Sequence, residues 1–137
     1  MPDGPVADGP VADGPEVRIA RVYDEPEPGA LHVLVDRLWP RGISKAEAPF
    51  EMWAKDVAPS TELRKWYGHV PERFGEFAVR YRAELTHDPG RTALASLREK
   101  ASGPLVLVTA TKDIAHSGAA VLQAVLAGRE PPLPTAV

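Results

Sequence analysis

The strongest constraint on the fold is a short apolar run near the C-terminus, residues 105–110, which reads Leu-Val-Leu-Val-Thr-Ala. Gly103 and Pro104 precede this run and separate it from the helical pattern before it. A continuous run of this length, rich in β-branched residues, is typical of a strand that is buried on both faces. Such strands lie at the centre of parallel sheets, so the run predicts an α/β fold.

Predicted strands and helices alternate along the rest of the chain. Further strands are predicted at residues 17–23 and 31–37, with a short or irregular third one at 50–57. Apolar spacing and capping residues predict four helices, of which the second starts at Pro71 and the others span residues 60–68, 91–101 and 113–128. Strands joined by long helical crossovers predict a small open sheet with at least two parallel strands and helices on both faces.

The two ends of the chain differ in composition from the rest. Residues 1–15 repeat the triplet Asp-Gly-Pro three times, and this density of Gly and Pro predicts a disordered leader. Residues 130–137 are predicted to be a Pro-rich tail that stops the last helix. Residues 16–129 are therefore predicted to form a single α/β domain.

Composition excludes several classes of function. The 137 residues include no cysteine, which rules out disulfides, thiol catalysis and cysteine-bound metals and fits a cytoplasmic location. No apolar run reaches the length of about 18 residues that a membrane span requires. Four of the 19 acidic residues lie within residues 3–16, which leaves 15 acids against 16 basic residues in the rest of the chain. Because this balance gives no strongly basic face, nucleic acid is not an expected partner.

The residues suited to chemistry are concentrated where two predicted strands end, and the first group is Asp36, Arg37, Trp39 and Arg41. In open α/β sheets, ligands bind at the carboxyl ends of the strands. Arg37 and Arg41 carry guanidinium groups that suit carboxylate and phosphate, and Asp36 is expected to orient one of them. Trp39 is expected to form an apolar wall. The alternative is that Asp36 and Arg37 pair on the surface while Trp39 fills the core.

A second group of candidate residues follows the strand at 105–110. If the two strands are parallel, Lys112 and Asp113 lie at the same edge as Arg41 and help to line one crevice. His116 is then the candidate acid or base, and Asp36 is a second candidate for a catalytic role. The N-terminus of the last helix adds an end that favours anions. The alternatives are that Asp113 only caps this helix and that His116 is a partly exposed histidine without a role.

These residues leave three kinds of function open. The first is a site for an anionic small molecule, with or without catalysis. The second is a non-catalytic protein-interaction surface, because Trp and Arg also dominate protein interfaces; its residues are Trp39, Arg41 and Trp53. The third and weakest is a mononuclear metal site, whose ligands are Asp36, Asp113 and His116. The shape of the surface distinguishes the first two, since a small molecule needs a concave crevice.

With these motifs in view, the chain resembles the YeaO-like family, a bacterial family of domains of unknown function that is also called DUF488. The resemblance runs from residue 17 to residue 127, and the stretches that carry it are 21–24 with 33–45, 53–69 with 77–85, and 109–122. These stretches include Val-Asp-Arg-Leu-Trp-Pro-Arg-Gly and Thr-Ala-Thr-Lys-Asp. The resemblance implies a small bacterial cytosolic α/β domain, and it implies no particular reaction, substrate or cofactor.

Overall fold

Four strands and four α-helices make up the fold of the chain, which a computed structural model describes over residues 16–101 and 103–128. The strands are β1 (Val17–Arg21), β2 (Leu31–Leu34), β3 (Met52–Trp53) and β4 (Leu105–Thr109). The helices are α1 (Thr61–Tyr67), α2 (Phe74–Glu84), α3 (Gly90–Lys100) and α4 (Gly118–Leu126). The predicted leader at 1–15 and the predicted tail at 130–137 lie outside the described residues.

All the strands run parallel in one open sheet with the order β1-β4-β2-β3. Strand β4 is buried along its whole length and pairs with β1 on one side and β2 on the other. The predicted α/β class and the parallel strands are therefore confirmed. Strand β3 has only two residues, and a turn of 3-10 helix at Lys55–Val57 follows it, as the irregular pattern at 50–57 indicated.

The helices are distributed differently from the prediction. Buried residues of all four helices pack on one face of the sheet, against Val33, Leu105 and Leu107. On the opposite face, the buried residues Leu34, Val106 and Val108 pack with residues of the connecting segments, namely Val22, Phe50 and the partly buried Ala30, Trp39 and Ile43. The prediction of helices on both faces therefore needs correction for the described residues.

The connections between the first three strands explain this one-sided arrangement. The link from β1 to β2, residues 22–30, contains no helix, and the link from β2 to β3, residues 35–51, contains only a 3-10 turn at Lys45–Glu47. Pro40, Gly42 and Pro49 prevent a longer helix in the second link. These two segments cover the second face in place of crossover helices.

Local sequence signals fix where the helices begin and end. The Ser60 side chain accepts a hydrogen bond from the Leu63 N–H, and Gly68 ends α1 in the left-handed conformation with φ of 56°, as predicted. Pro71 opens a 3-10 turn that leads directly into α2. The Tyr81 hydroxyl on α2 donates to the Val57 carbonyl, which joins α2 to the segment that follows β3.

Candidate functional site

A cavity of about 570 Å³ opens at the edge of the sheet where β2 and β4 end. The segments that line it are residues 35–41, 110–113 and 117–119, together with side chains from α1 and α2 and with Tyr23, Pro59 and His69. Because β2 and β4 are parallel neighbours, their carboxyl ends lie side by side at this edge. Six of the residues singled out in the sequence line the cavity, namely Asp36, Arg37, Trp39, Arg41, Lys112 and Asp113.

Asp36 joins the ends of the two strands. Its carboxylate accepts hydrogen bonds from Thr109 Oγ1 at 2.7 Å and from the Ala110 N–H at 2.8 Å. Burial raises the pKa of the Asp36 carboxyl, and these two hydrogen bonds and the nearby His69 oppose that rise. The expectation that Asp36 orients a guanidinium group is therefore wrong, because its hydrogen bonds go to Thr109 and Ala110.

The Arg37 side chain forms hydrogen bonds with the backbone of the segment before α1. Its Nε donates to the Pro59 carbonyl at 2.8 Å and its Nη2 donates to the Ala58 carbonyl at 3.2 Å. The alternative from the sequence, a surface pair between Arg37 and Asp36, is therefore not formed. The Arg37 guanidinium instead binds carbonyl groups 21 and 22 positions further along the chain. Arg37 contributes positive charge to the cavity while its guanidinium holds this segment in place.

Trp39 is both a wall of the cavity and part of the core. Its indole N–H donates to the Ile43 carbonyl at 2.6 Å, and its ring lies edge-on to Phe50 and Trp53 at 5.3 and 5.4 Å between ring centres. The Trp53 indole N–H donates to the Asp36 carbonyl at 2.8 Å. Both indole N–H groups are therefore already bound within the protein, and Trp53 does not line the cavity.

Arg41 and Lys112 are exposed residues that line the cavity. The Tyr23 hydroxyl donates to the Arg41 carbonyl at 3.1 Å, which fixes the backbone of the loop at this point. Gly42, with φ of 76°, follows in a left-handed conformation that favours glycine. Within the described part of the chain, the Arg41 and Lys112 side chains form no hydrogen bond or ion pair, so both remain available to a ligand.

Arg64 on α1 lines the same cavity, and the sequence did not single it out. Its Nε is buried, and among the described residues no hydrogen-bond partner reaches it. Buried N–H groups of proteins nearly always have an acceptor. Among the described residues Arg21 Nε also lacks one, but Arg21 does not line this cavity. A sequence signal does exist, because Arg64 follows the inward-facing Leu63 and precedes the inward-facing Tyr67 by three positions.

His116 does not line the cavity. Its Nδ1 lies 2.8 Å from Asp113 Oδ2, and its ring lies edge-on to Phe74 at 5.3 Å. The Tyr67 hydroxyl donates to the His116 carbonyl at 2.5 Å, so His116 contacts the back of the cavity wall. The expectation that Arg41 and His116 line one pocket is therefore wrong for the His116 side chain.

The turn that follows β4 gives the reason for this placement. Residues Ile114–His116 form a 3-10 turn, and α4 begins only at Gly118, whereas the sequence predicted one helix from residue 113. The Ser117 side chain caps α4 by accepting from the Ala120 N–H, and Asp113 forms no capping hydrogen bond. Asp113 is therefore a partner of His116 rather than the predicted cap.

His69 also lines the cavity. It follows Gly68, the residue that ends α1, and it has a left-handed φ of 60°, which is uncommon for a residue other than glycine. Its ring lies 6.0 Å from the ring of Tyr67.

Burial, reinforced by the negative charge of Asp113, raises the pKa of the Tyr67 hydroxyl.

The charged side chains that line the cavity are mostly positive. The positively charged side chains that line it are Arg37, Arg41, Arg64 and Lys112, and the two acidic ones are Asp36 and Asp113. A concave site lined by an excess of positive charge concentrates positive potential inside it. Among residues 16–101 and 103–128, no group of three or more His, Cys, Asp or Glu side chains could hold a metal ion, so the metal-site alternative has no support.

The fold and the cavity define a small parallel α/β domain with a crevice of ligand size beside its central strand. Residues 16–130 match the model of a family described as the inactive DUF488-N3 subclade. An uncharacterized protein of Mycobacterium bovis is 54% identical over 115 residues, which cover 82% of this chain and 95% of that protein. The uncharacterized protein YeaO of Escherichia coli is 39% identical over 109 residues, which cover 77% of this chain and 92% of YeaO. No solved structure matches the chain. The chain belongs to the YeaO-like DUF488 family.

None of the helices in the described part of the chain has the length and apolar character needed to cross a membrane.

Proposed function

We propose that this protein binds an anionic small molecule in the cavity at the ends of β2 and β4. The observation that carries the proposal is Arg64, which lines the cavity and whose guanidinium group, including its buried Nε, has no acceptor among the described residues. An unsatisfied buried donor costs about 1–3 kcal/mol, and more when the group is charged. A bound carboxylate or phosphate supplies the missing acceptor and the opposite charge together.

Arg41 and Lys112 complete the binding surface. Both are exposed and line the cavity, and neither side chain forms a hydrogen bond or ion pair with another described residue. They add positive charge that attracts an anion before it reaches Arg64. Arg37 has a supporting part, because its guanidinium already donates to two backbone carbonyls.

A binding role is better supported than catalysis. His116, the candidate acid or base, lies outside the cavity and is bound to Asp113. The family that matches the chain is described as inactive. Both observations favour a protein that holds its ligand without transforming it, so the binding site is the function to test first.

A protein-interaction surface is the weaker candidate. It relied on Trp39, Arg41 and Trp53, but the indole N–H groups of both tryptophans donate to backbone carbonyls of this protein. The concave shape of the site also favours a small molecule over a protein partner. The cytoplasmic location and the exclusion of nucleic acid remain predictions from the sequence.

A thermal-shift titration with inorganic phosphate tests the proposal. Phosphate should raise the melting temperature of the wild-type protein at constant ionic strength, because a ligand that binds the folded state stabilises it. Arg64→Gln should abolish most of this rise. Lys65→Gln is the matched control, since Lys65 is the next residue on α1, is exposed and does not line the cavity.

Two results of this titration would contradict the proposed anion site. An equal phosphate response in Arg64→Gln and Lys65→Gln, or no response of the wild-type protein to either inorganic phosphate or phenyl phosphate, overturns the proposed site. The melting temperature of Arg64→Gln without phosphate gives a second reading. It should stay nearly level, because the half-buried Arg64 side chain forms no hydrogen bond or ion pair with the described residues that the variant would lose.

A further inference from the structure

We infer that the ligand of this cavity is an organic anion with an apolar body, whose charged group binds Arg64 while its apolar part lies along the cavity walls. This inference rests on the proposed anion site and specifies the chemical class of its ligand. Three independent features of the cavity support it, namely its volume, the nature of its walls and the residues at its mouth.

The volume is too large for an inorganic ion. The cavity measures about 570 Å³, which falls within the range of roughly 300–1,000 Å³ found for sites that hold organic ligands. An inorganic phosphate is only a few times larger than a water molecule, whose share of liquid volume is roughly 30 Å³. Such an ion leaves most of the cavity filled with water, whereas an organic anion of one or two rings fills it.

The walls are largely apolar. Val35, Tyr67 and Phe77 line the cavity and are buried in the core, and the rings of Tyr67 and Phe77 are stacked with 4.3 Å between their centres. Because the Tyr67 hydroxyl already donates to the His116 carbonyl, the part of Tyr67 left for a ligand is its apolar ring. Pro40, Pro59 and Ala119 add further apolar surface. A ligand gains free energy here by removing this surface from water.

Two of the four large apolar side chains that are exposed in the described part of the chain lie at the mouth of the cavity. Leu38 is 58% exposed and Tyr23 is 51% exposed, and both line the cavity. Among the described residues, the other exposed large hydrophobic side chains are Trp53 and Val79, which do not line it. Exposed apolar groups gathered at a cavity indicate contact with an apolar part of the ligand.

Isothermal titration of the full chain with three probes tests this inference. The probes are phenyl phosphate, inorganic phosphate and benzyl alcohol, which combine charge with an apolar ring, charge alone and a ring alone. Phenyl phosphate should bind at least about tenfold more tightly than either of the other two, because only it satisfies both parts of the cavity. Arg64→Gln should weaken both phosphates, and Lys65→Gln should weaken neither.

A second pair of variants isolates the apolar part. Leu38→Ser should lower the affinity for phenyl phosphate by about threefold or more while the affinity for inorganic phosphate stays constant. Val79→Ser is the matched control, because Val79 is 52% exposed on α2 and lies away from the cavity. It should change neither affinity.

The possible failures are distinguishable. Equal affinity for phenyl phosphate and inorganic phosphate overturns the organic ligand and leaves the anion site intact. Benzyl alcohol binding as tightly as phenyl phosphate overturns the anionic part of the inference. Absence of binding by both phosphates overturns the proposed function and this inference together.

Discussion

At the scale of single residues, Asp36 is the point where the two halves of the cavity meet. Its carboxylate binds Thr109 and Ala110 at the end of β4, and its carbonyl accepts from the Trp53 indole N–H. The side chain is held by neutral donors, and burial raises its pKa. A buried carboxylate held in this way costs free energy when it ionises, even though its hydrogen bonds are satisfied.

The raised pKa of Asp36 predicts a pH dependence of stability. Between its ordinary pKa and the raised value, the folded state binds more protons than the unfolded state, so stability contributed by this group falls as pH rises. Asp36→Asn removes the titration. The free energy of unfolding of the wild type, minus that of Asp36→Asn, should therefore increase as the pH is lowered from about 7 to about 4, the ordinary pKa of an aspartate.

Urea denaturation of both proteins at each pH measures this difference. Asp56→Asn is the control, because Asp56 is exposed and solvent screens its charge. It should show a smaller change over the same range. A constant difference for Asp36→Asn, or one that decreases on acidification, contradicts the assigned environment of Asp36.

The sequence predicted which residue types gather at the site but not the groups to which their side chains form hydrogen bonds. A carboxylate and two guanidinium groups at the end of a strand are visible in the motif, and the parallel pairing of β2 and β4 brings them to the cavity. The bonds of Arg37 to the Ala58 and Pro59 carbonyls depend on how the chain returns from β3, which local spacing does not reveal. Arg64 was missed because a charged residue in a helix is usually exposed.

At the scale of elements, the turn between β4 and α4 decides which side chains reach the cavity. The 3-10 turn Ile114–His116 delays the start of α4 to Gly118, with Ser117 as its cap. The delay leaves Asp113 lining the cavity and pairs it with His116 on the far side. An uninterrupted helix from residue 113 would have used Asp113 as its cap.

The two candidate caps predict different effects on stability. Ser117→Ala should lower the free energy of unfolding by about 0.5–2 kcal/mol, because it removes the acceptor for the Ala120 N–H. Asp113→Ala should cost less, since Asp113 forms no capping bond and its contact with His116 is exposed. Chemical denaturation of the two variants compares them directly. A larger loss in Asp113→Ala would show that the helix starts where the sequence alone predicted.

The elements themselves were predictable where one local signal dominates. The apolar run of β4, the Ser60 cap and Gly68 each fix an element without help from distant residues. The side of the sheet on which a helix packs is different, because apolar periodicity identifies the buried face of a helix and not the sheet face it covers. Here the helix-free links at 22–30 and 35–51 decide that question.

At the scale of the whole molecule, the main core lies on one face of the sheet and the cavity lies at one edge of it. All four helices pack on one face of the sheet and build the main core, while the segments at 22–30 and 39–50 cover the other face. The cavity lies at the edge where β2 and β4 end, beside the buried centre of the sheet. A site held by rigid strands and reached from solvent suits a binding protein.

The composition of the N-terminal segment predicts its contribution to stability. Residues 1–15 consist of Asp-Gly-Pro repeats with few apolar side chains, which cannot offset the entropy of ordering them. Deleting these residues should therefore leave the melting temperature nearly unchanged, as measured by differential scanning calorimetry. A fall of more than about 4 °C, which corresponds to roughly 1 kcal/mol for a domain near this size, would show that the segment packs on the domain.

The most direct test of the anion site observes the Arg64 Nε–H group itself by ¹⁵N NMR during a titration with phosphate. The Arg91 Nε–H group is the internal reference, because Arg91 is exposed on α3 and lies away from the cavity. A phosphate that binds in the cavity should shift the Arg64 signal saturably, with little change at Arg91, because Arg64 gains the acceptor it lacks. An Arg64 signal that stays constant, or that moves linearly in step with Arg91, would contradict the account.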